Sequence, residues 1–137
     1  MEPVSAAASV IAILQLTSKV IEYLDNVRRA QNDRARLAIE ASNLYNLLTI
    51  LRYRLGEGRS NKAWYTVIRS LGVPGGPLDQ YKHTLEQLRR KLQSRSGTNN
   101  MGQALLWRFN KEEVTGFLSR MESLKNLIPI GLEMDHL

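Results

Sequence analysis

Apolar side chains recur along this chain at the three- and four-residue spacing of amphipathic helices, and no stretch of any length alternates as a strand would. The most regular seam belongs to the second predicted helix. We expect this helix to be capped by Asp33 and to end at Gly56 and Gly58. Its seam consists of Leu37, Ala41, Leu44, Leu48, Leu51 and Leu55. Leu47 and Ile50 widen the seam, which predicts that the helix is well buried.

The same pattern predicts helices before and after this one. The predicted segments are Pro3 to about Ala30, a short helix over 61–71, a helix over 77–94, a turn of helix at Leu105–Trp107 and a last helix capped by Asn110. The sequence GVPGGP at 72–77 is a break, and 94–100 is a loop. We expect Pro129 to kink the last helix, because apolar residues continue after it. The prediction is an all-α, up-and-down bundle of four long helices and one or two short ones, forming a single domain over 1–137.

The first predicted helix differs from the others because no side chain from Pro3 to Ser18 is ionisable. One interpretation is that it is the central helix of the bundle, wrapped by the others. The other is that it is buried at rest and enters a membrane when released. The apolar stretch from Val4 to Leu16 is shorter than the ~20 residues of a transmembrane helix, and Glu2 precedes it where a signal peptide carries basic residues. We therefore expect neither a constitutive span nor a signal peptide.

Composition and charge narrow the function classes. The sequence has no cysteine, which excludes thiol catalysis and cysteine–zinc sites. The two histidines, His83 and His136, have no metal-pair spacing, and GVPGGP lacks the Lys-Ser/Thr of a phosphate loop. No catalytic constellation is present, so we expect no enzyme, no cofactor and no metal.

The net charge of +6 favours anionic partners. Basic residues gather on and after the fourth predicted helix: Lys82, Arg89, Arg90, Lys91 and Arg95. One interpretation is a solvated helix face, and the other is contact with anionic lipid. No aromatic residue interleaves with these positions, so we expect no nucleic acid. The Trp107-Arg108-Phe109 sequence is interpreted as aromatic packing at the start of the last helix.

Three passages together resemble one family. They are MEPVSAAASVIAILQLTSKVIEYL, ARLAIEASNLYNLLTILRYRL and LLWRFNKEEVTGFLSRMESLKNLI, in that order along nearly the whole chain. The set resembles the HeLo-like N-terminal domain of fungal NLR-type (STAND) proteins, which is related to HeLo domains and to the four-helix bundle of mixed-lineage-kinase-like pseudokinases.

The resemblance implies a cell-death-inducing, pore-forming or permeabilising domain of fungal immunity and heterokaryon incompatibility. It implies activation by oligomerisation, a cytoplasmic resting state, and a plasma-membrane state with anionic lipids as partners. Carried over by position, the residues that insert are Val10, Ile11, Ile13, Leu14 and Leu16. Such domains precede a NACHT or NB-ARC region. Because no P-loop motif of such a region occurs in this sequence, we expect an excised domain or a short protein that uses the bundle alone. The alternative is a helical signalling adaptor that self-associates or binds a partner protein without entering a membrane.

Overall fold

The computed structural model describes residues 3–26, 31–56, 62–93 and 109–134. Five helices account for nearly all of them: α1 (Pro3–Asp25), α2 (Gln31–Gly56), α3 (Lys62–Leu71), α4 (Pro77–Gln93) and α5 (Lys111–Met134). Within these ranges no residue is in a strand. The all-α bundle of four long helices and a short one is therefore confirmed.

The four long helices form a ring in the order α1, α2, α5, α4, and α3 packs against α5. Direction along the bundle follows from side-chain contacts. The first half of α1 shares a groove with the turn that precedes α4, and Thr17 contacts Tyr81 further along both helices. The α4 end near Lys91 meets the α5 start at Glu113. Arg34, near the start of α2, donates to the Leu24 carbonyl near the end of α1 at 3.3 Å. Thus α1 and α4 run one way and α2 and α5 the other, which gives the up-and-down alternation along the chain.

The predicted apolar seams form the core. The α2 seam from Leu37 to Leu55 is buried throughout, as is the α5 seam at Val114, Phe117, Met121, Leu124 and Ile128. The α4 seam contributes Leu78, Tyr81, Leu85, Leu88 and Leu92. Because each seam recurs at three- and four-residue steps, it lies on one side of its helix and faces the ring interior.

Several predicted details differ from the structure. Helix α1 ends at Asp25, about five residues before the predicted end at Ala30. Helix α2 begins at Gln31, so Asp33 lies in its first turn and is not its cap. Ile50 does not widen the buried seam, because 45% of it is exposed. It lies two residues from Leu48, which turns its side chain about 200° around the helix axis and away from the core.

The last helix begins and continues as predicted. Asn110 caps it through its side-chain Oδ1, which accepts a hydrogen bond from the backbone N–H of Glu113 at 2.8 Å. The Glu113 carboxylate in turn accepts the backbone N–H of Asn110 at 3.2 Å, which completes a capping box. Helix α5 continues through Pro129 to Met134. The turn of helix at Leu105–Trp107 and the loop at 94–100 lie outside the described residues.

Candidate functional site

Helix α1 presents its apolar seam to the bundle and not to solvent. Of the five residues predicted to insert into a membrane, Val10, Ile13 and Leu14 are buried, with 1%, 3% and 6% of their surfaces exposed. Ile11 and Leu16 are half-buried at the two margins of the seam. In this conformation Val10, Ile13 and Leu14 are part of the core and Leu16 packs against it, so insertion of these side chains requires α1 to leave the bundle.

The opposite side of α1 is exposed and begins with small or uncharged polar side chains. Ala8, Ala12 and Gln15 lie on it, followed by Lys19 and Glu22 after the uncharged run ends. The interpretation of α1 as a central helix wrapped on every side is therefore wrong: it is one member of the ring, in contact with α2 and α4. Its lack of charge is not explained by burial, since half of its circumference meets water without a charged side chain up to Ser18.

Helix α1, with 23 residues, is longer than the apolar stretch from Val4 to Leu16. Among the residues that the structure describes, one helical segment, Ala6–Asp25, is long and apolar enough to cross a membrane by length and composition. It has 20 residues and a mean hydropathy of 1.3. A core helix of a bundle has the same composition, so this finding alone does not separate the two interpretations.

A buried hydrogen bond joins α1 to α4. Thr17 and Tyr81 are both fully buried, and their hydroxyl oxygens lie 2.9 Å apart. The Thr17 hydroxyl donates its single proton to the Ile13 carbonyl at 2.8 Å, so the Tyr81 hydroxyl is the donor between the two side chains. Burial raises the pKa of the Tyr81 phenol well above its ordinary value, which keeps the donor protonated at any physiological pH.

An open groove of about 490 Å³ runs beside this contact. The exposed face of α1 forms one wall through Ala8 and Ala12, and Val73, Pro74 and Lys82 line the other. The turn before α4 owes its shape to Gly75, whose φ of +74° favours glycine and whose N–H donates to the Asp79 carboxylate at 2.9 Å. The groove places the uncharged face of α1 directly beside the start of α4.

The predicted basic residues do not form one exposed face. Lys82 lines the groove beside α1, with Asp79 and Glu86 within one turn of it on α4. Arg89 follows Lys82 by two helical turns and therefore lies on the same flank, and Arg90 is exposed. Arg95 lies outside the described residues.

Lys91 belongs to a different structure, on the flank that faces α5. Its ammonium forms an ion pair with Glu113, while 39% of the Lys91 side chain stays exposed. The hydrogen bond from Lys91, together with the Asn110 N–H, holds the pKa of Glu113 below its usual range. The Lys91 ammonium also lies 5.3 Å from the centre of the Phe109 ring. This junction fixes the end of α4 to the start of α5.

Aromatic packing at the start of α5 agrees with the prediction for Phe109. Phe109 is buried, and its ring meets that of Phe117 edge to face with centroids 5.3 Å apart. Trp107 and Arg108 lie outside the described residues. Of the described histidines and acidic residues, no group of three or more is placed to hold a metal ion.

Two features were missed by reasoning from the sequence. The Thr17–Tyr81 pair joins residues 64 positions apart, and a lone threonine in an apolar run gives no signal of its partner. The second is a row of large apolar side chains on the outside of α2, where Ile39 and Tyr53 are 59% and 69% exposed. The charge-free stretch from Ala41 to Leu51 is a signal that could have pointed to it.

Comparison with protein-family models, with curated proteins and with solved structures gives no match for this chain. The resemblance to HeLo-like domains therefore stays a prediction from the sequence.

Proposed function

We propose that this chain is a membrane-permeabilising helical bundle of the HeLo-like kind, the cell-death effector of a fungal NLR-like immune or incompatibility protein. At rest it is a closed, cytoplasmic bundle. Oligomerisation, driven by a NACHT or NB-ARC region where the natural protein has one, releases α1 into the anionic inner face of the plasma membrane. The bundle has no enzymatic step and needs no cofactor or nucleic acid.

One observation carries the proposal: up to Ser18, α1 lacks charge on its exposed face as well as on its buried face. A surface helix of a soluble bundle ordinarily carries charged residues toward water. Ala8, Ala12 and Gln15 offer none, so the first two thirds of α1 can meet lipid on every side without burying an ion. Transferring a charged side chain to the centre of a membrane helix costs about 2.5–3.5 kcal/mol.

When α1 is released, its buried side chains exchange one apolar environment, the bundle core, for another, the lipid hydrocarbon. Val10, Ile13 and Leu14 leave the bundle core and enter hydrocarbon, so their hydrophobic stabilisation is largely kept. The cost is the lost packing against α2 and α4 and the broken hydrogen bond at Thr17. Half-buried Ile11 and Leu16, together with exposed Ala8 and Ala12, gain burial in lipid that the bundle does not give them.

Helix α1 is long enough to cross the hydrocarbon core only if the whole helix inserts. The charge-free part from Pro3 to Ser18 spans about 24 Å at 1.5 Å per residue, against a hydrocarbon core of about 30 Å. Extending the helix to Asp25 covers the difference and brings Lys19 and Glu22 to one interface. Lys19 can reach the headgroups there through its flexible stem.

The test is dye leakage from vesicles of phosphatidylcholine and phosphatidylserine, using the full chain fused to a trimeric coiled coil that forces oligomerisation. We expect leakage from the unaltered sequence. Ala12→Glu places a carboxylate near the middle of the uncharged run, on an exposed site where the fold is kept, and should abolish leakage. The matched control is Ser119→Glu, an exposed site on α5 with the same charge change, which should leak normally.

A substitution within the buried seam of α1 cannot test insertion, because it also disturbs the folded bundle. Leu14→Glu buries a carboxylate in the resting core, so loss of activity would follow from unfolding alone. Equal leakage from Ala12→Glu and from the unaltered chain would contradict insertion of α1. No leakage from any forced oligomer would contradict the membrane function itself.

The alternative function is a signalling adaptor that binds a protein partner without a membrane step. The exposed apolar side chains on α2 favour it, since such a face is typical of a protein-binding surface. An adaptor would show no leakage when oligomerised, and Ala12→Glu would leave its signalling unchanged.

A further inference from the structure

The outer face of α2 carries a regular row of uncharged side chains. In the described part of the chain, the large hydrophobic residues that are more than about a third exposed are Ile39, Tyr45, Ile50, Tyr53, Val73 and Ile130, and four of these six lie on α2. Along the outward side of the helix the row reads Ile39, Asn43, Asn46, Ile50 and Tyr53, and every member is exposed. We call these five residues the α2 row.

The spacing of the α2 row is that of a coiled-coil seam. Successive members are four, three, four and three residues apart, which keeps them on one side of a helix that pairs with another helix. The same helix already has a complete buried seam on its inner side, from Leu37 to Leu55. Helix α2 therefore has two seams, and only the inner one has a partner within the described part of the chain.

The two ends of the row are equally distant from its central member. Ile39 and Tyr53 each lie seven residues from Asn46, while Asn43 lies three residues before it and Ile50 four residues after it. Two copies of α2 paired antiparallel about a two-fold axis at Asn46 place Ile39 against Tyr53 and Asn46 against Asn46, and they bring Ile50 within one residue of the position opposite Asn43. A two-fold interface requires such self-complementarity.

We propose that a second copy of this chain binds the α2 row through antiparallel pairing of the two α2 helices. The charge distribution selects this occupant. Two molecules of net charge +6 repel each other, and α2 lacks a charged residue from Ala41 to Leu51. Antiparallel pairing places Arg36 opposite Gly56, whereas a parallel pair would face Arg36 with its own copy. Asn46 meets Asn46 at the axis, where their amides can pair and fix the register.

The dimer should be weak. The row from Ile39 to Tyr53 spans about 21 Å of helix at 1.5 Å per residue. One helix face of that length buries less than the ~800 Å² per partner of a standard stable interface. We therefore expect a monomer–dimer equilibrium that depends on protein concentration. This inference concerns the protein in solution and depends on neither proposed function.

Sedimentation velocity without lipid is the first test. The unaltered chain should shift toward the dimer as its concentration rises. Ile50→Arg puts a cation into the row and should keep the protein monomeric at every concentration. Ile130→Arg is the matched control, since Ile130 on α5 is exposed to a similar degree, and it should dimerise like the unaltered chain.

Cysteine crosslinking then tests the pairing geometry, because the sequence contains no cysteine of its own. Asn46→Cys should oxidise to a covalent dimer faster than Ser119→Cys, an exposed site on α5. A mixture of Ile39→Cys and Tyr53→Cys proteins should crosslink faster than either variant alone, since antiparallel pairing brings these two positions together.

Three results would overturn the proposal. The first is a monomer at every concentration with no preference for crosslinking at Asn46→Cys, which would leave the α2 row to a different protein. The second is dimerisation that Ile50→Arg does not weaken. The third is faster crosslinking within Ile39→Cys alone than in the mixture, which would indicate a parallel pair.

Discussion

The hydrogen bond between Thr17 and Tyr81 predicts that removing one partner costs less stability than removing the other. Tyr81→Phe removes the donor but leaves Thr17 bonded to the Ile13 carbonyl, so it should lower the free energy of unfolding by about 0.5–1.5 kcal/mol. Thr17→Val leaves a buried tyrosine hydroxyl without a partner, which should cost about 1–3 kcal/mol. Urea unfolding of the two variants measures both values. A smaller cost for Thr17→Val than for Tyr81→Phe would contradict the dependence of the Tyr81 hydroxyl on Thr17.

The ion pair of Lys91 and Glu113 predicts a pH dependence. Since the hydrogen bond from Lys91 lowers the pKa of Glu113 from its ordinary 4.5, the ionised carboxylate stabilises the folded chain above that pH. The contribution is lost as pH falls through the lowered pKa and Glu113 takes up a proton. Glu113→Gln should therefore be less stable than the unaltered chain at pH 7, and the difference should shrink as pH falls below 4.5. Urea midpoints measured across this range check it, and a difference that stays constant with pH would count against the ion pair.

Some of these residue-level contacts follow from local sequence and others do not. The Asn110 cap could be predicted because a cap and its helix are neighbours in sequence, and Glu113 stands at the position that completes the box. Lys91 looked like a member of a basic surface. Its partner lies 22 residues away and meets it only because α4 and α5 pack side by side.

Among the structural elements, the turn before α4 should tolerate a glycine-to-alanine substitution less well than the end of α2. A Cβ added to Gly76 would lie 2.8 Å from a methyl of Val73 and 2.9 Å from its carbonyl oxygen, and the backbone cannot move aside cheaply. Gly76→Ala should cost about 1–3 kcal/mol of stability. Gly56→Ala, at the end of α2 with no atom near the new methyl, should cost nothing. Thermal unfolding of both variants checks the prediction, which fails if their stabilities are equal.

Helix α2 shows what a periodic pattern can and cannot establish. The buried seam follows from its regular spacing. Ile50 was assigned to that seam because it is apolar and close in sequence, yet the helix turns it outward with Asn46 and Tyr53. Hydrophobicity alone does not say which of two faces is covered when a helix carries apolar residues on both.

Helix α1 shows a different limit of the sequence. An uncharged helix is expected in a core and in a membrane alike, and composition does not separate them. The structure adds that the outer face of α1 is uncharged up to Ser18 although it meets water.

For the whole molecule, the ring order α1, α2, α5, α4 decides which basic residues can act together. Lys82 and Arg89 lie on the flank of α4 toward α1, Arg90 is exposed, and Lys91 faces α5. Helix lengths and directions could be predicted from spacing and breaks. The ring order could not, because all four seams are similar rows of leucine and other apolar residues that do not identify their neighbours.

This distribution predicts how binding to anionic vesicles responds to charge reversal. Lys82→Glu with Arg90→Glu should weaken co-sedimentation with phosphatidylserine vesicles, since each basic residue near a charged membrane contributes about 1 kcal/mol. The control is Lys111→Glu with Arg120→Glu, two exposed sites on α5 with the same change in net charge. If both pairs weaken binding equally, the attraction comes from net charge and not from the α4 surface.

The most direct test of the central claim is whether α1 enters the bilayer. Because the chain has no cysteine, Ala8→Cys allows an environment-sensitive fluorophore to be attached to α1 alone, and Ser119→Cys serves for α5. The labelled proteins, forced to oligomerise, are mixed with phosphatidylserine vesicles whose acyl chains carry a nitroxide quencher. We predict a blue-shifted, quenched signal from the α1 label and an aqueous, unquenched signal from the α5 label. An α1 label that stays aqueous and unquenched would show that α1 does not enter the bilayer.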